Sequence, residues 1–259
     1  MGDKGQKHID FRNPKYYSNR ELSWILFDHR VLNEARDKNT LLFERLKFLS
    51  ITASNLDEFF MIRVASLKDM VNAGYTKPDI AGLTPAEQLK KLHEAIHELV
   101  DLQYSTFNRS LVPQLESNGL HIIRRHEQLS KAEAAFVDHY FEENVYPVLT
   151  PMAVDSSRPF PLIRNKSLNI GALLRKKERK NELEFATVQV PSVLERVVEL
   201  PSGTEKRKVI LLEEVIERNI HKLFLNYQIE CAHPFRIMRN ADLTIEEDEA
   251  ADLLKEIEK

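Results

Sequence analysis

Cysteine is nearly absent from this sequence of 259 residues, which contains Cys231 alone. A single cysteine excludes an intramolecular disulfide and fits a reducing compartment. No apolar run approaches the ~20 residues that a membrane-spanning helix needs. The polar residues 1–13 also lack the apolar core of a secretory signal. We therefore expect a cytoplasmic protein without a transmembrane segment.

Glycine is also scarce, with seven residues in the chain. No segment has the G-x-x-x-x-G-K-S/T pattern, which excludes a nucleotide site of the P-loop kind. The net charge of −3 gives no overall attraction to nucleic acid or to an anionic membrane, so we expect no nucleic-acid partner. A polyanionic ligand would need a local basic surface.

Helical patterns dominate the first part of the chain. Residues 1–15 are polar and predict a mobile arm. Apolar residues then recur every three or four positions, and Thr84 and Glu87 form a capping-box pattern at one helix start. The predicted helices cover 20–37, 41–73 and 85–118. Three helices with short connections predict an antiparallel three-helix bundle over residues 16–118.

The pattern changes to short apolar runs over residues 119–259, which predicts an α+β head domain and makes the whole chain a multidomain α and α+β protein. The predicted strands are 120–123, 167–174, 185–190, 196–200, 208–212 and 228–239, and the predicted helices are 130–145, 212–224 and 245–259. The runs at 196–200 and 208–212 are expected to pair across the Pro201-Ser202-Gly203 turn. The last helix has no Gly or Pro to end it, so we expect the domain to be incomplete at Lys259.

A polar turn interrupts the apolar stripe of the second predicted helix. Ser54, Asn55, Asp57 and Glu58 lie together in one turn, although Ser, Asn and Asp are weak helix formers. A helix that only packs against a core does not require them. By spacing alone, a bend or an internal cap is the favoured explanation of this turn, and a ligand site is the alternative.

Several segments, in this order, resemble the polyphosphate kinase family. The resemblance runs from about residue 16 to the end of the chain. The matching segments are N-R-E-L-S-W at 19–24, R-V-L-N-E-A at 30–35, L-L-F-E-R-L-K-F-L at 41–49, S-N-L-D-E-F-F at 54–60, M-I-R-V-A at 61–65, L-T-P at 149–151, R-P-F-P at 158–161, N-K-S-L-N at 165–169 and F-R-I-M-R-N-A-D-L at 235–243.

The resemblance implies an enzyme that reversibly transfers the terminal phosphate of ATP to polyphosphate. Family members use a histidine that becomes phosphorylated, a second histidine and magnesium. The resemblance places these groups in domains beyond residue 259, so it implies no catalytic and no metal-binding residue here. We therefore expect the segment alone to be inactive. The resemblance also implies ATP or ADP and polyphosphate as partners, and a homodimer or dimer of dimers.

Asn55 is the position at which the family contributes an asparagine to its ATP site. A side-chain amide offers two donors and an acceptor, which suits the edge of a purine. Phe48, Leu49 and Phe59 lie within a few helical turns and could supply apolar surface to the base, although core packing is the favoured interpretation of all three. Asp57 and Glu58 are adjacent and point to different helix faces, which disfavours a shared magnesium ion.

Basic residues in the head domain are candidates for a polyphosphate path, because guanidinium groups bind phosphate oxygens in pairs. Salt bridges and dimer contacts are the alternative interpretation. The candidates are Arg158, Arg164, Lys166, Arg236 and Arg239.

Two alternative functions have their own sequence support. His93-Glu94-Ala95-Ile96-His97 matches the short H-E-x-x-H zinc pattern. A catalytic zinc needs a third protein ligand, and no suitably spaced residue follows, so we predict no zinc site. The other alternative is a structural dimerisation or interaction module that makes no nucleotide contact.

Overall fold

The computed structural model describes residues 10–154, 163–177, 183–201 and 206–241, which form two compact units. The first contains residues up to Leu111 together with 239–241, and the second is Val112–Met238. The sequence-based boundary was 118–119. Most of the predicted arm, the helix predicted over 245–259 and Arg158 lie outside the described residues.

The first unit is helical. Its α-helices are α1 (Arg20–Arg36), α2 (Leu42–Phe59), α3 (Ala65–Asn72) and α4 (Pro85–Thr106). Asn19 caps α1 by accepting a hydrogen bond from the Leu22 amide at 2.9 Å. The predicted capping box between Thr84 and Glu87 is present at the start of α4. Both caps satisfy amides that have no partner inside their helix.

Helices α1, α2 and α4 pack around one apolar core in this unit. The core includes Leu32 of α1, Leu56 and Phe59 of α2, and Leu92 and Leu99 of α4. Their spacing along each helix is the three- and four-residue spacing that predicted the helices. The coarse prediction of a helical N-terminal region is confirmed, while the finer arrangement as an antiparallel three-helix bundle stays a prediction.

The predicted helix over 41–73 is not α-helical throughout. A π-helical turn at Phe60–Val64 separates α2 from α3, and it follows the polar turn that contains Asn55 and Asp57. The helix predicted over 85–118 likewise contains a π-helical turn at Phe107–Leu111. Such turns insert an extra residue and change the direction in which the following side chains point.

The second unit combines helices with two sheets. Its elements are α5 (Val112–Ser117), β1 (Leu120–Ile123), α6 (Lys131–Tyr140), β2 (Pro151–Val154), β3 (Leu168–Lys176), β4 (Leu183–Gln189), β5 (Val197–Leu200), β6 (Arg207–Leu211), α7 (Leu212–Asn219) and β7 (Tyr227–Arg236). Helices α6 and α7 cover a core to which both sheets contribute. The predicted mixed α and β character is confirmed.

One sheet has three strands in the order β1-β6-β5, and the other has four antiparallel strands in the order β2-β4-β3-β7. Strands β1 and β6 are parallel, and β5 pairs with β6 in the antiparallel arrangement that the turn at 201–203 predicted. Strand β2 was not predicted. It lies at a sheet edge, begins at a proline and shows no alternation of buried and exposed residues.

Candidate functional site

A cleft opens in the first unit beside the polar turn of α2. Its volume is about 270 Å³, which is just below the range of pockets that enclose a whole drug-sized ligand. The cleft therefore has room for part of a larger ligand, such as a single aromatic base. Its lining residues are Trp24, Phe27, Asn55, Glu58, Phe59, Ile62 and Arg63.

Two helix stripes form the walls of this cleft. On α1, Trp24 and Phe27 are three residues apart, and on α2, Asn55 is followed by Glu58 and Phe59 at positions that return to the same face. The π-helical turn then brings Ile62 and Arg63 to the same opening. Helix packing thus collects residues more than 25 positions apart in the sequence.

The rings of Trp24 and Phe59 form a stacked pair at the cleft. Their centroids are 4.3 Å apart and their planes are inclined by 15°. Phe59 is 2% exposed and anchors the pair in the core, whereas Trp24 is half-buried and Phe27 is 44% exposed. The stack fixes the orientation of a flat apolar surface, on which another planar ring can pack.

Asn55 provides the hydrogen-bonding group of the cleft. Its Nδ2 donates to Oδ1 of Asp28 at 2.9 Å, and the side chain is half-buried. Asp28 is completely buried, and its Oδ2 has no hydrogen-bond partner among the described residues. Burial raises the pKa of the Asp28 carboxyl above its ordinary value, and the hydrogen bond from Asn55 acts in the opposite direction.

Arg63 provides positive charge at the same opening. Its side chain is 44% exposed, and its Nε lies 4.0 Å from Oε2 of Glu21, a buried carboxylate of α1. The other oxygen of Glu21 accepts a hydrogen bond from Arg20 at 2.8 Å. A guanidinium group held beside an aromatic surface can approach a phosphate or another anion that is attached to a planar ring.

The structure separates the residues that the sequence analysis assigned to a nucleotide. Asn55 lies at the cleft, whereas Phe48 and Leu49 are not among the lining residues. Leu49 is 9% exposed and belongs to the core, and Phe48 packs against that core. The role of each in binding stays a prediction.

The sequence analysis did not propose four of the lining residues as site residues: Trp24, Phe27, Ile62 and Arg63. Trp24 packs against the apolar core of this unit as well as lining the cleft. The available signal was their spacing, since Trp24 and Phe27 share a face of α1, and Arg63 is two turns beyond Asn55. Spacing along a helix does not show which other helix packs against that face. Spacing alone was therefore insufficient to identify the cleft.

Three of the candidate phosphate-path residues lie at one end of the four-stranded sheet. Leu168 of β3 pairs with Arg236 of β7, and the Lys166 amide donates to the Ile237 carbonyl at 3.0 Å. Arg164 lies in the same turn before β3, and all three basic side chains are exposed. Lys166 has a φ of 61°, an uncommon conformation for a residue other than glycine. Arg239 belongs to the first unit.

The histidine pair of the H-E-x-x-H pattern is exposed on α4. The His93 and His97 rings are in edge contact, with centroids 4.3 Å apart. Within the described ranges, no group of three or more His, Cys, Asp or Glu side chains is placed to hold a metal ion. We assign no chemical step in this chain to a metal.

The fold and the cleft define the class of this protein. A helical unit carries a cleft lined by aromatic, amide and guanidinium groups, and an α+β unit follows it in the chain. None of the described helices combines the length and apolarity required to cross a membrane. Residues 17–123 match the model of the polyphosphate kinase N-terminal domain, and residues 132–259 match that of the polyphosphate kinase middle domain.

Individual relatives agree with these domain matches. The chain is 51% identical over 255 residues to a polyphosphate kinase of Bacillus anthracis, which covers 97% of this chain and 36% of the relative. It is 49% identical to a polyphosphate kinase of Lactiplantibacillus plantarum over 251 residues, which covers 97% of this chain and 34% of the relative. The crystal structure of polyphosphate kinase from Porphyromonas gingivalis aligns with a TM-score of 0.77 and 28% identity, covering 88% of this chain and 34% of that one.

This chain belongs to the polyphosphate kinase family and contains its N-terminal and middle domains. It spans about a third of the length of the relatives named above.

Proposed function

We propose that this chain is the nucleotide-covering part of a polyphosphate kinase that reversibly transfers the terminal phosphate of ATP to polyphosphate. The cleft beside α2 contacts the nucleotide, and phosphotransfer through a phosphorylated histidine and magnesium takes place in domains beyond residue 259. The 259 residues alone are inactive under this proposal. The observation that carries it is the position of Asn55 at an open cleft with an aromatic wall.

The chemistry of the cleft supports an adenine nucleotide as its ligand. A purine ring can pack on the surface of Trp24, while the amide of Asn55 pairs with the polar edge of the base. Arg63 offers charge to the phosphates. A cleft of about 270 Å³ accommodates only part of ATP, which agrees with a site completed by other domains.

The exposed basic residues at the end of β3 and β7 are proposed to guide polyphosphate. Arg164, Lys166 and Arg236 lie at one end of a sheet whose pairing fixes their relative positions. Several cations along one surface attract a polyanion more strongly than one does, since their potentials add.

Support for dimerisation comes from the family resemblance alone, and light scattering of the full-length protein tests it.

The decisive variant is Asn55→Ala in the full-length protein that includes this chain. We expect the KM for ATP to rise about tenfold, because one hydrogen bond to the base is lost. The measurement is steady-state kinetics with ATP and polyphosphate, together with the thermal midpoint of each protein. Asn33→Ala is the matched control, since Asn33 is exposed on α1 and does not line the cleft.

The alternative proposal makes the segment a structural dimerisation module without nucleotide contact. It predicts that Asn55→Ala leaves the KM for ATP unchanged while the protein remains folded. That result would contradict the nucleotide role of the cleft. It would leave the family membership intact, because the membership rests on the whole chain.

A further inference from the structure

Asp28 is the least expected residue near the cleft. It lies on α1 with 0% exposure, on the helix face that also carries Trp24, and its Oδ2 is buried without a hydrogen-bond partner among the described residues. Burying a carboxyl group with one oxygen unpaired costs free energy. An apolar side chain of similar size at such a position often gives a more stable protein. Core stability therefore does not explain an aspartate at this position.

The side-chain hydrogen bonds described for Asp28 lead to a single residue, Asn55, whose Nδ2 donates to Oδ1 of Asp28 at 2.9 Å. This contact joins α1 to α2. A carboxylate can only accept hydrogen bonds, so it pairs with the amino group of the Asn55 amide and not with the carbonyl. If the amide turned over, its carbonyl would face the ionised carboxylate and this hydrogen bond would be lost. Its Oδ1 makes no hydrogen bond to another described residue, and Asn55 is half-buried at the cleft wall.

We propose that Asp28 is a positioning residue: it holds the Asn55 amide with Oδ1 available to the cleft ligand, so that the site favours adenine over guanine. This inference rests on the proposed nucleotide role of Asn55. The amino group at position 6 of adenine can donate a hydrogen bond to a fixed carbonyl oxygen. Guanine instead has a carbonyl oxygen at position 6, which can only accept. Two facing acceptors leave both groups unpaired, and buried unpaired groups discriminate strongly between ligands.

The test compares ATP with GTP in the full-length protein. Asp28→Leu and Asp28→Ala both remove the acceptor. We expect each to lower kcat/KM for ATP about tenfold and to lower the ratio of ATP to GTP kcat/KM at least about threefold. Loss of an unpaired buried carboxyl should leave the thermal midpoint of Asp28→Leu unchanged or raised. If Asp28 served only to pack the core, its substitution would not lower the ratio of ATP to GTP kcat/KM while the thermal midpoint is retained.

Asp28→Asn tests the same point in a variant of equal size. Its carbonyl can still accept from Asn55, so kcat/KM for ATP should stay within about threefold of the wild-type value. Its amino group can also donate to Asn55 in the reversed orientation, so the preference for ATP over GTP should fall. An unchanged preference in Asp28→Asn, or in Asp28→Leu, would overturn the inference.

Thr52→Val is the matched control. Thr52 is also completely buried and lies one turn before Asn55 on α2, where its Oγ1 donates to the Phe48 carbonyl of its own helix at 2.9 Å. The variant changes a buried polar group without touching the cleft, so the ratio of ATP to GTP kcat/KM should not change.

A double-mutant cycle separates the failure of this inference from failure of the proposed function. If Asp28 acts through Asn55, then adding Asp28→Leu to Asn55→Ala should have no further effect on ATP kinetics. An additive effect would overturn the positioning role. An unchanged KM for ATP in Asn55→Ala would contradict the proposed function itself. A raised KM for ATP in Asn55→Ala, together with wild-type kinetics in the Asp28 variants, would contradict only the present inference.

Discussion

Glu133 shows how a single side chain can link the stability of the second unit to pH. It is buried near the start of α6, where it accepts hydrogen bonds from Lys208 Nζ at 2.7 Å and from the Ser130 amide at 2.8 Å. The pKa of the Glu133 carboxyl is lowered from 4.5 to about 2. The largest cause is the hydrogen bond from Lys208, and the amide and hydroxyl of Ser130 contribute less. The folded protein therefore favours the ionised form.

We expect this carboxyl to contribute stability above pH 4.5 and to lose it as the pH falls toward 2, because the depressed pKa belongs to the folded state. At pH 3 the loss should be about 2 kcal/mol. Urea unfolding of the wild type and of Glu133→Gln at pH 7 and pH 3 measures it. Equal loss in both proteins would show that Glu133 is not responsible.

At the scale of elements, the ends of β3 and β7 place three exposed cations on one edge of a sheet. Leu168 pairs with Arg236, and the turn before β3 is tied to Ile237 through the Lys166 amide. Strand pairing thus fixes the separation of charges that are about 70 positions apart in the sequence. Such a fixed separation is useful for a ligand with regularly spaced phosphates.

The combined variant Arg164→Gln, Lys166→Gln and Arg236→Gln should raise the KM for polyphosphate about tenfold and leave the KM for ATP unchanged. The reason is loss of attraction between charges, so the effect should decrease at high salt. Kinetics of the full-length protein at low and high ionic strength provide the measurement. Arg124→Gln with Arg125→Gln, exposed in the loop after β1, is the control. Equal effects in both variants would contradict a specific path.

At the scale of the whole molecule, the described residues form two units, each with its own apolar core. Leu32 belongs to the core of the first unit and Leu174 to that of the second, and both are completely buried. Units with separate cores often unfold in separate transitions.

We expect Leu32→Ala and Leu174→Ala to lower different transitions in differential scanning calorimetry. Each substitution leaves a cavity that costs about 2–5 kcal/mol, which corresponds to a decrease of about 10 °C or more in the affected midpoint. If both variants lowered one common transition by the same amount, the two units would unfold together.

The local sequence determined most of the secondary structure. Helix periodicity and the capping box of Thr84 and Glu87 predicted the helices of the first unit, and short apolar or alternating runs predicted six of the seven strands described. These signals lie within a few residues of one another, so they can be read without knowledge of the fold. The π-helical turns were not predicted, since no residue type in 60–64 or 107–111 distinguishes them from an α-helical turn.

Tertiary structure decided the composition of the cleft. The sequence indicated Asn55 through the polar turn and the family resemblance, but Phe48 and Leu49 face the core, and Trp24, Asp28 and Arg63 were not identified as its neighbours. Asp28 and Asn55 meet because α1 packs against α2, and that packing depends on the complete apolar core. The sequence therefore determines which helices form, whereas only their packing brings a buried carboxylate into contact with the amide that it orients.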